Sequence, residues 1–374
     1  PSHRGEGMRA AAVTPGAPLA VPEGDERELR DVLAETLRAT VDVTTLLDRT
    51  RPVDTVEPKV WSALVGFGLP GLAVDESLGG GGTQPRLLYA AIEEAASALA
   101  PAPLVPTVTA LDVAMQCDAK DVVHRITAGA TAAFAVPLDD MGWAETGLPE
   151  WDGGTLNGVV PLVAGAPVAE LLIVLARNGT ARTILALDAA ADGVVIASQQ
   201  PLDLTATIGS VTFTESAAEV LADGADVADV LRAASRRALL AVAADSVGVA
   251  ARALAMAVDW AGERHQFGRA IGSFQAVSHR CADMLVALEG ARSQVLAAAE
   301  RDPGDSDVSV ELATAAALDA GVSVTEGALQ IHGGVGFTWE HPIHLLLRRA
   351  RANAVLVGRA DALRDRAARV LLSR

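Results

Sequence analysis

The hydrophobic pattern of this chain changes period twice, and that change limits the fold more than any other feature. From about residue 26 to residue 130, apolar residues recur at helical spacing with short breaks. Between residues 132 and 220 the period shortens. The segments 132–137, 171–176, 183–187, 193–198 and 210–214 are short, rich in branched residues and separated by Gly, Asp, Asn and Pro. From residue 227 onward the helical period returns, in segments 231–262, 274–300, 310–332 and 344–356, with Asp302-Pro303-Gly304-Asp305 as a breaker. Helices, then strands, then helices is an α+β order, not the alternation that builds a parallel sheet. The expected fold is α+β and mostly α. An N-terminal helical domain (residues 8–130) precedes a middle antiparallel β-domain (131–222), and a C-terminal four-helix bundle (223–374) closes the chain.

Composition agrees. Alanine, valine and leucine dominate, and aromatics make up only 3% of 374 residues, so the helices should pack closely on small side chains. The formal net charge of −17 argues against nucleic acid as a partner, because a phosphate backbone needs a basic face. The two cysteines, Cys117 and Cys281, lie far apart with no metal-type spacing, which fits a reducing, cytoplasmic setting and no bound metal. Residues 1–7, ahead of Met8, read as an expression remnant, and no signal peptide follows. The long apolar stretches carry scattered charges, so no membrane span is expected.

Two segments carry the chemistry. The first is Glu263-Arg264-His265-Gln266-Phe267-Gly268-Arg269, continuing through Ile271-Gly272-Ser273-Phe274-Gln275-Ala276. Arg264 and Gln266 end a helix before a glycine turn, where an arginine can pair bidentately with a phosphate and a glutamine can hydrogen-bond one. The second is Gln330-Ile331-His332-Gly333-Gly334-Val335-Gly336-Phe337, whose paired glycines let backbone approach a ligand closely. Taken singly, an arginine at a helix end also reads as a solvated cap, and Gly-Gly as a plain turn.

In this order, together with residues 278–284, Arg348-Arg349-Ala350-Arg351, Gly71-Leu72-Ala73, Glu93-Glu94 and the Pro101 to Pro103 exit, these segments resemble the acyl-CoA dehydrogenase family over nearly the whole chain. The resemblance implies FAD as cofactor, bound mainly by a neighbouring subunit. Arg264, Gln266, Phe267, Gln330 and Gly334 would touch it, and His332 and Gly333 would add contacts. It further implies α,β-dehydrogenation of an acyl-CoA thioester, in fatty-acid or steroid side-chain metabolism. A homo- or hetero-oligomer, such as a dimer of dimers through the bundle, would pass electrons to an electron-transfer flavoprotein or another acceptor.

Two departures qualify the resemblance. The family's usual base, a Glu before Gly, is matched by Val357-Gly358, and valine cannot accept a proton. Some members place the base on the first bundle helix, where this chain has Asp245 in an apolar, alanine-rich run. Asp245 then reads either as a catalytic base or as a structural acid paired with a nearby Arg or with Ser246, or facing solvent. The flavin-facing segment of the middle domain, rich in Thr and Ser and holding a Trp-Ile-Thr/Ser strand in the family, corresponds to residues 156–169, which have Pro161 and Pro167 but no aromatic or hydroxyl group. The alternative is therefore a non-catalytic supporting subunit that supplies FAD contacts to a partner chain. Arg348, Arg349 and Arg351 are expected to cap a helix C-terminus and to face an interface or solvent.

Overall fold

The structure, a computed structural model, describes residues 24–48, 55–82, 84–139, 142–301 and 307–373. The breaker at residues 302–305 lies outside them. Six helices come first: α1 (Asp25–Thr40), α2 (Val43–Leu47), α3 (Pro58–Gly66), α4 (Pro85–Ser97), α5 (Leu104–Gln116) and α6 (Lys120–Thr127). The first break in the helical run comes at Asp42, which caps α2 just after α1 ends, its side chain accepting from Thr44 N–H.

Strands follow: β1 (Ala132–Ala135), β2 (Leu138–Asp139), β3 (Gly142–Trp143), β4 (Glu150–Trp151), β5 (Leu156–Ala164), β6 (Leu171–Asn178), β7 (Ala181–Asp188), β8 (Val194–Gln199), β9 (Ile208–Ser216) and β10 (Glu219–Asp223). Eight of them form one sheet in the order β10-β7-β6-β4-β5-β9-β8, with β1 also on β6. The expected antiparallel sheet is in fact mixed: β1 and β4 run parallel to β6. The chain leaves β1 and returns to β6 only after the excursion through β2 to β5, and a long connection of this kind allows parallel pairing where a tight hairpin does not. Strand β6 shows no alternation because both its faces are covered. Leu171, Ile173 and Leu175 pack toward α5 and α6, while Leu172, Val174 and Ala176 pack toward β5 and β9.

The remaining helices are α7 (Asp226–Glu263), α8 (Gln275–Ala299), α9 (Val308–His332), α10 (Ile343–Leu356) and α11 (Ala360–Leu372). The 38-residue α7 is the spine, packed against α4, α5, α8, α9 and α10. Its small side chains let neighbours approach. A Cβ on Gly248 would sit 2.1 Å from the Glu93 carbonyl oxygen of α4, so only glycine allows that crossing. Helices α7 and α9 are long and apolar enough to cross a membrane, which the sequence reading did not anticipate. However, 83% and 61% of their apolar windows are buried in the fold, so they are core helices.

One buried ion network ties the two helical regions together. Glu93 on α4 accepts from Arg30 of α1 at 3.0 Å and from Arg292 of α8 at 2.6 Å. Burial pushes its carboxyl up, but the guanidinium groups of Arg292 and Arg30 outweigh that and hold it below the usual range.

Candidate cofactor site

Arg264 is the C-cap of α7, with extended backbone. Two short strands, β11 (His265–Gln266) and β12 (Arg269–Ala270), pair beyond it. The turn between them is Phe267-Gly268, with φ of 53° and 78°. Two successive positive φ values are what a two-residue hairpin requires, and a bulky aromatic seldom accepts one. Phe267 stands at the tip with 92% of its surface exposed. Gln266 thus lies on a strand rather than at the helix end. Neither the Arg264 nor the Gln266 side chain has a polar partner among the described residues; Arg264 lies 5.9 Å from the Trp260 ring centroid.

The second motif ends α9 at the same place. His332 is buried, its Nδ1 2.7 Å from the Ala328 carbonyl oxygen, and its ring stacks on Trp260 at 5.4 Å. His341 lies 4.5 Å from His332. Burial lowers the pKa of both histidines, keeping the cluster neutral near pH 7. Trp260, between Arg264 and His332, is the residue the sequence reading missed. Its position four residues before Arg264 on the helix was the available signal. Gln330 is exposed on the last turn of α9. Gly333 has φ +64°, so its backbone demands glycine. Gly334 has no such need, and a Cβ there would meet nothing within 4 Å. Nothing inside this chain asks for glycine at 334, whereas a ligand approaching that backbone would. An unpartnered Arg and Gln, an exposed aromatic and an open glycine fit the phosphates and flat rings of FAD.

The second region is a crevice at the C-terminus of α10. Val357, buried there, lines a cavity of about 50 Å³ with Val105, Thr109, Leu162, Ala164 and Ala238. The described residues lining it include no acid. Asp245 is two helical turns further along α7, on the face of Ala238, and it does not line this cavity. It is 3% exposed and not in the apolar setting expected for it. Arg349 donates to both its oxygens, Nε to Oδ1 at 2.9 Å and Nη2 to Oδ2 at 2.5 Å, and Asn353 donates to Oδ1 at 2.7 Å. Arg349 also reaches Thr205 Oγ1 at 3.0 Å. This corrects the expectation for Arg349, which lies in mid-α10 facing inward. Burial lowers its pKa, but the charges of Asp245 and Asp203 outweigh this and leave it raised. Arg348 lies over the Trp339 ring and Arg351 pairs with Glu326, both also in mid-helix.

Residues 229–372 match the family described as acyl-CoA dehydrogenase, C-terminal domain. The acyl-CoA dehydrogenase IpdE2 of Mycolicibacterium smegmatis is 31% identical over 339 residues, covering 88% of this chain and 95% of that protein. The acyl-CoA dehydrogenase FadE34 of Mycobacterium tuberculosis is 33% identical over 304 residues, or 80% of this chain; the match spans only 40% of that longer relative. A chain of the ChsE4-ChsE5 complex from Mycobacterium tuberculosis superposes with a TM-score of 0.83 at 25% identity, covering 95% of this chain and 99% of that one. Similarity over nearly its whole length, together with the helix–sheet–helix fold, makes this chain a member of the acyl-CoA dehydrogenase family.

Proposed function

We propose that this chain is one subunit of an FAD-dependent, cytoplasmic acyl-CoA dehydrogenase that carries out α,β-dehydrogenation of an acyl-CoA thioester. In this reading it holds FAD across a subunit interface. The carrying observation is that Arg264, Gln266, Phe267 and Gly334 present unpartnered or open groups at one end of the bundle. Arg264 would pair with a phosphate, Gln266 and Gln330 would hydrogen-bond the cofactor, Phe267 would pack on a ring, and Gly333 and Gly334 would admit backbone close to it. The stack of Trp260 on His332 lies behind the site. When bound, FAD would supply the acceptor for the β-hydride, and a carboxylate would remove the α-proton. Exposed apolar groups such as Val286 and Phe337, 73% and 70% exposed, supply further surface for an oligomer, a dimer of dimers in this reading. Electrons leave to an electron-transfer flavoprotein.

A supporting rather than catalytic role is favoured by one observation. Val357 stands where a base is needed, and Asp245 has both oxygens held by Arg349. The base then belongs to a partner chain. The test is anaerobic bleaching of the flavin band in the purified assembly on adding acyl-CoA thioesters of graded size. Bleaching by at least one supports the activity; a flavin-bearing assembly that bleaches with none contradicts it.

A further inference from the structure

We infer that the cleft bounded by the start of α4, the end of α5, the first half of α7 and the end of α8 is a second binding site, which takes an organic monocarboxylate with an apolar body. The cleft is remote from the bundle end proposed to hold FAD. Leu240, in its wall, stands 24 residues along α7 from Arg264, about 36 Å away.

Space is the first argument. The cleft holds about 890 Å³, within the range of roughly 300–1,000 Å³ for small-molecule sites. It is also distinct from the crevice at Val357. Leu240 lines the cleft and Ala238 the crevice, and two residues on a helix are about 200° apart, so α7 stands between the two spaces. Leu87, Leu240, Ala298 and Ala299 give the cleft an apolar wall.

The donors on its inner wall are the second argument. Tyr89, the only tyrosine of the chain, lines the cleft although it is just 3% exposed. Its hydroxyl makes no hydrogen bond among the described residues. A hydroxyl left so costs stability unless something binds it. Its charged neighbours are Arg237, Asp112 and Arg236, and both arginines also line the cleft. Arg237 uses only its Nε, 2.9 Å from Asp112 Oδ1. Its Nη groups meet no acceptor among the described residues. A hydroxyl and a guanidinium side by side can donate to the two oxygens of one carboxylate. The first turn of α4 lines the cleft too, and its N-cap, Gln84, makes no side-chain cap bond, so the helix dipole adds to the preference for an anion.

Charge limits that anion to one negative charge. Arg237 already holds Asp112, and Arg236 holds Asp307 at 2.7 Å. At the rim Arg86, 44% exposed, closes on Glu26 at 2.5 Å and on Glu300 at 2.6 Å. The inner wall thus offers donors rather than a large positive charge, and the rim acids repel a multiply charged phosphate. A monocarboxylate meets the donors with its head and the apolar wall with its body.

Octanoate is the probe, titrated calorimetrically into the purified assembly that contains this chain. NMR of ring-labelled tyrosine follows Tyr89, whose signal is identified by its loss in Tyr89→Phe. Octanoate is expected to bind and to shift that signal. Tyr89→Phe should weaken binding by roughly 10-fold or more, the loss of one hydrogen bond to a charged group. Octanol and inorganic phosphate should bind at least as weakly as octanoate binds that variant. Ala233→Trp, which fills the cleft from α7, should abolish binding. Arg264→Met should leave octanoate binding unchanged, which keeps this result separate from the fate of the cofactor reading. No octanoate binding at millimolar concentration overturns the inference. Equal binding by wild type, Tyr89→Phe and Ala233→Trp places octanoate elsewhere and overturns it as well. Octanol or phosphate binding as tightly as octanoate overturns the ligand class.

Discussion

Arg349 grips Asp245 from across the α7–α10 interface, donating to both carboxylate oxygens at 2.9 and 2.5 Å. The same guanidinium reaches Thr205, in the loop before β9, so one side chain joins the sheet to the bundle. Replacing it with Met would leave a buried carboxylate with only Asn353 beside it. The expected cost is about 3–5 kcal/mol of stability. Urea unfolding of Arg349→Met checks it, and a change within the error of the measurement would mean that the pair does not hold these elements together.

Asp245→Asn separates the two readings of that acid. As a catalytic base, its loss lowers the rate of acyl-CoA-dependent flavin bleaching by at least ~100-fold. As the anchor of Arg349, its loss lowers stability and leaves the rate of the folded assembly near that of the wild type. The account expects the second outcome, read by single-turnover bleaching beside thermal unfolding.

Asp112 gives a pH signature. It is fully buried on α5, and desolvation raises its carboxyl to about 6 despite Arg237, whose Nε lies 2.9 Å away. The unfolded value is near 3.8, so between about pH 4 and 6 the folded state binds the extra proton. Stability from this group is therefore fully present below the unfolded value and is lost as pH rises through about 6. The span is on the order of 3 kcal/mol. The difference in unfolding free energy between wild type and Asp112→Asn, measured from pH 4 to 7, should change by that order. A flat difference would contradict it.

Gly334→Ala separates a ligand role from a structural one. A Cβ there meets nothing within 4 Å, so stability should change by under about 1 kcal/mol, the helix-turn scale for glycine. Flavin content of the assembly should fall. A variant that keeps its flavin would show that the glycine serves neither.

Much of this was legible in the sequence. The double change of period located helices and strands because β9 buries nearly one side chain in two, while α1 buries Glu26, Arg30, Leu33 and Leu37 at helical spacing. The motifs around Arg264 and Gly334 were legible only together: singly each also reads as a cap or a turn, and it is their order and company that resemble the family. What was not legible depends on partners distant in sequence. Asp245 looks unpaired in an alanine-rich run because Arg349 and Asn353 arrive from more than 100 residues away. Strand direction in β1 was hidden likewise, since nothing local to Ala132 or Phe134 records that the chain returns to them only at Leu171.

The central claim is that the bundle end carrying Arg264 holds FAD. The most direct test is the FAD dissociation constant of the intact assembly, wild type against Arg264→Met, by fluorescence titration after flavin removal. A charge-assisted pair with a phosphate is worth about 1.5–3 kcal/mol, so binding should weaken by roughly 10- to 100-fold, with folding unchanged. A dissociation constant equal to that of the wild type would contradict the account.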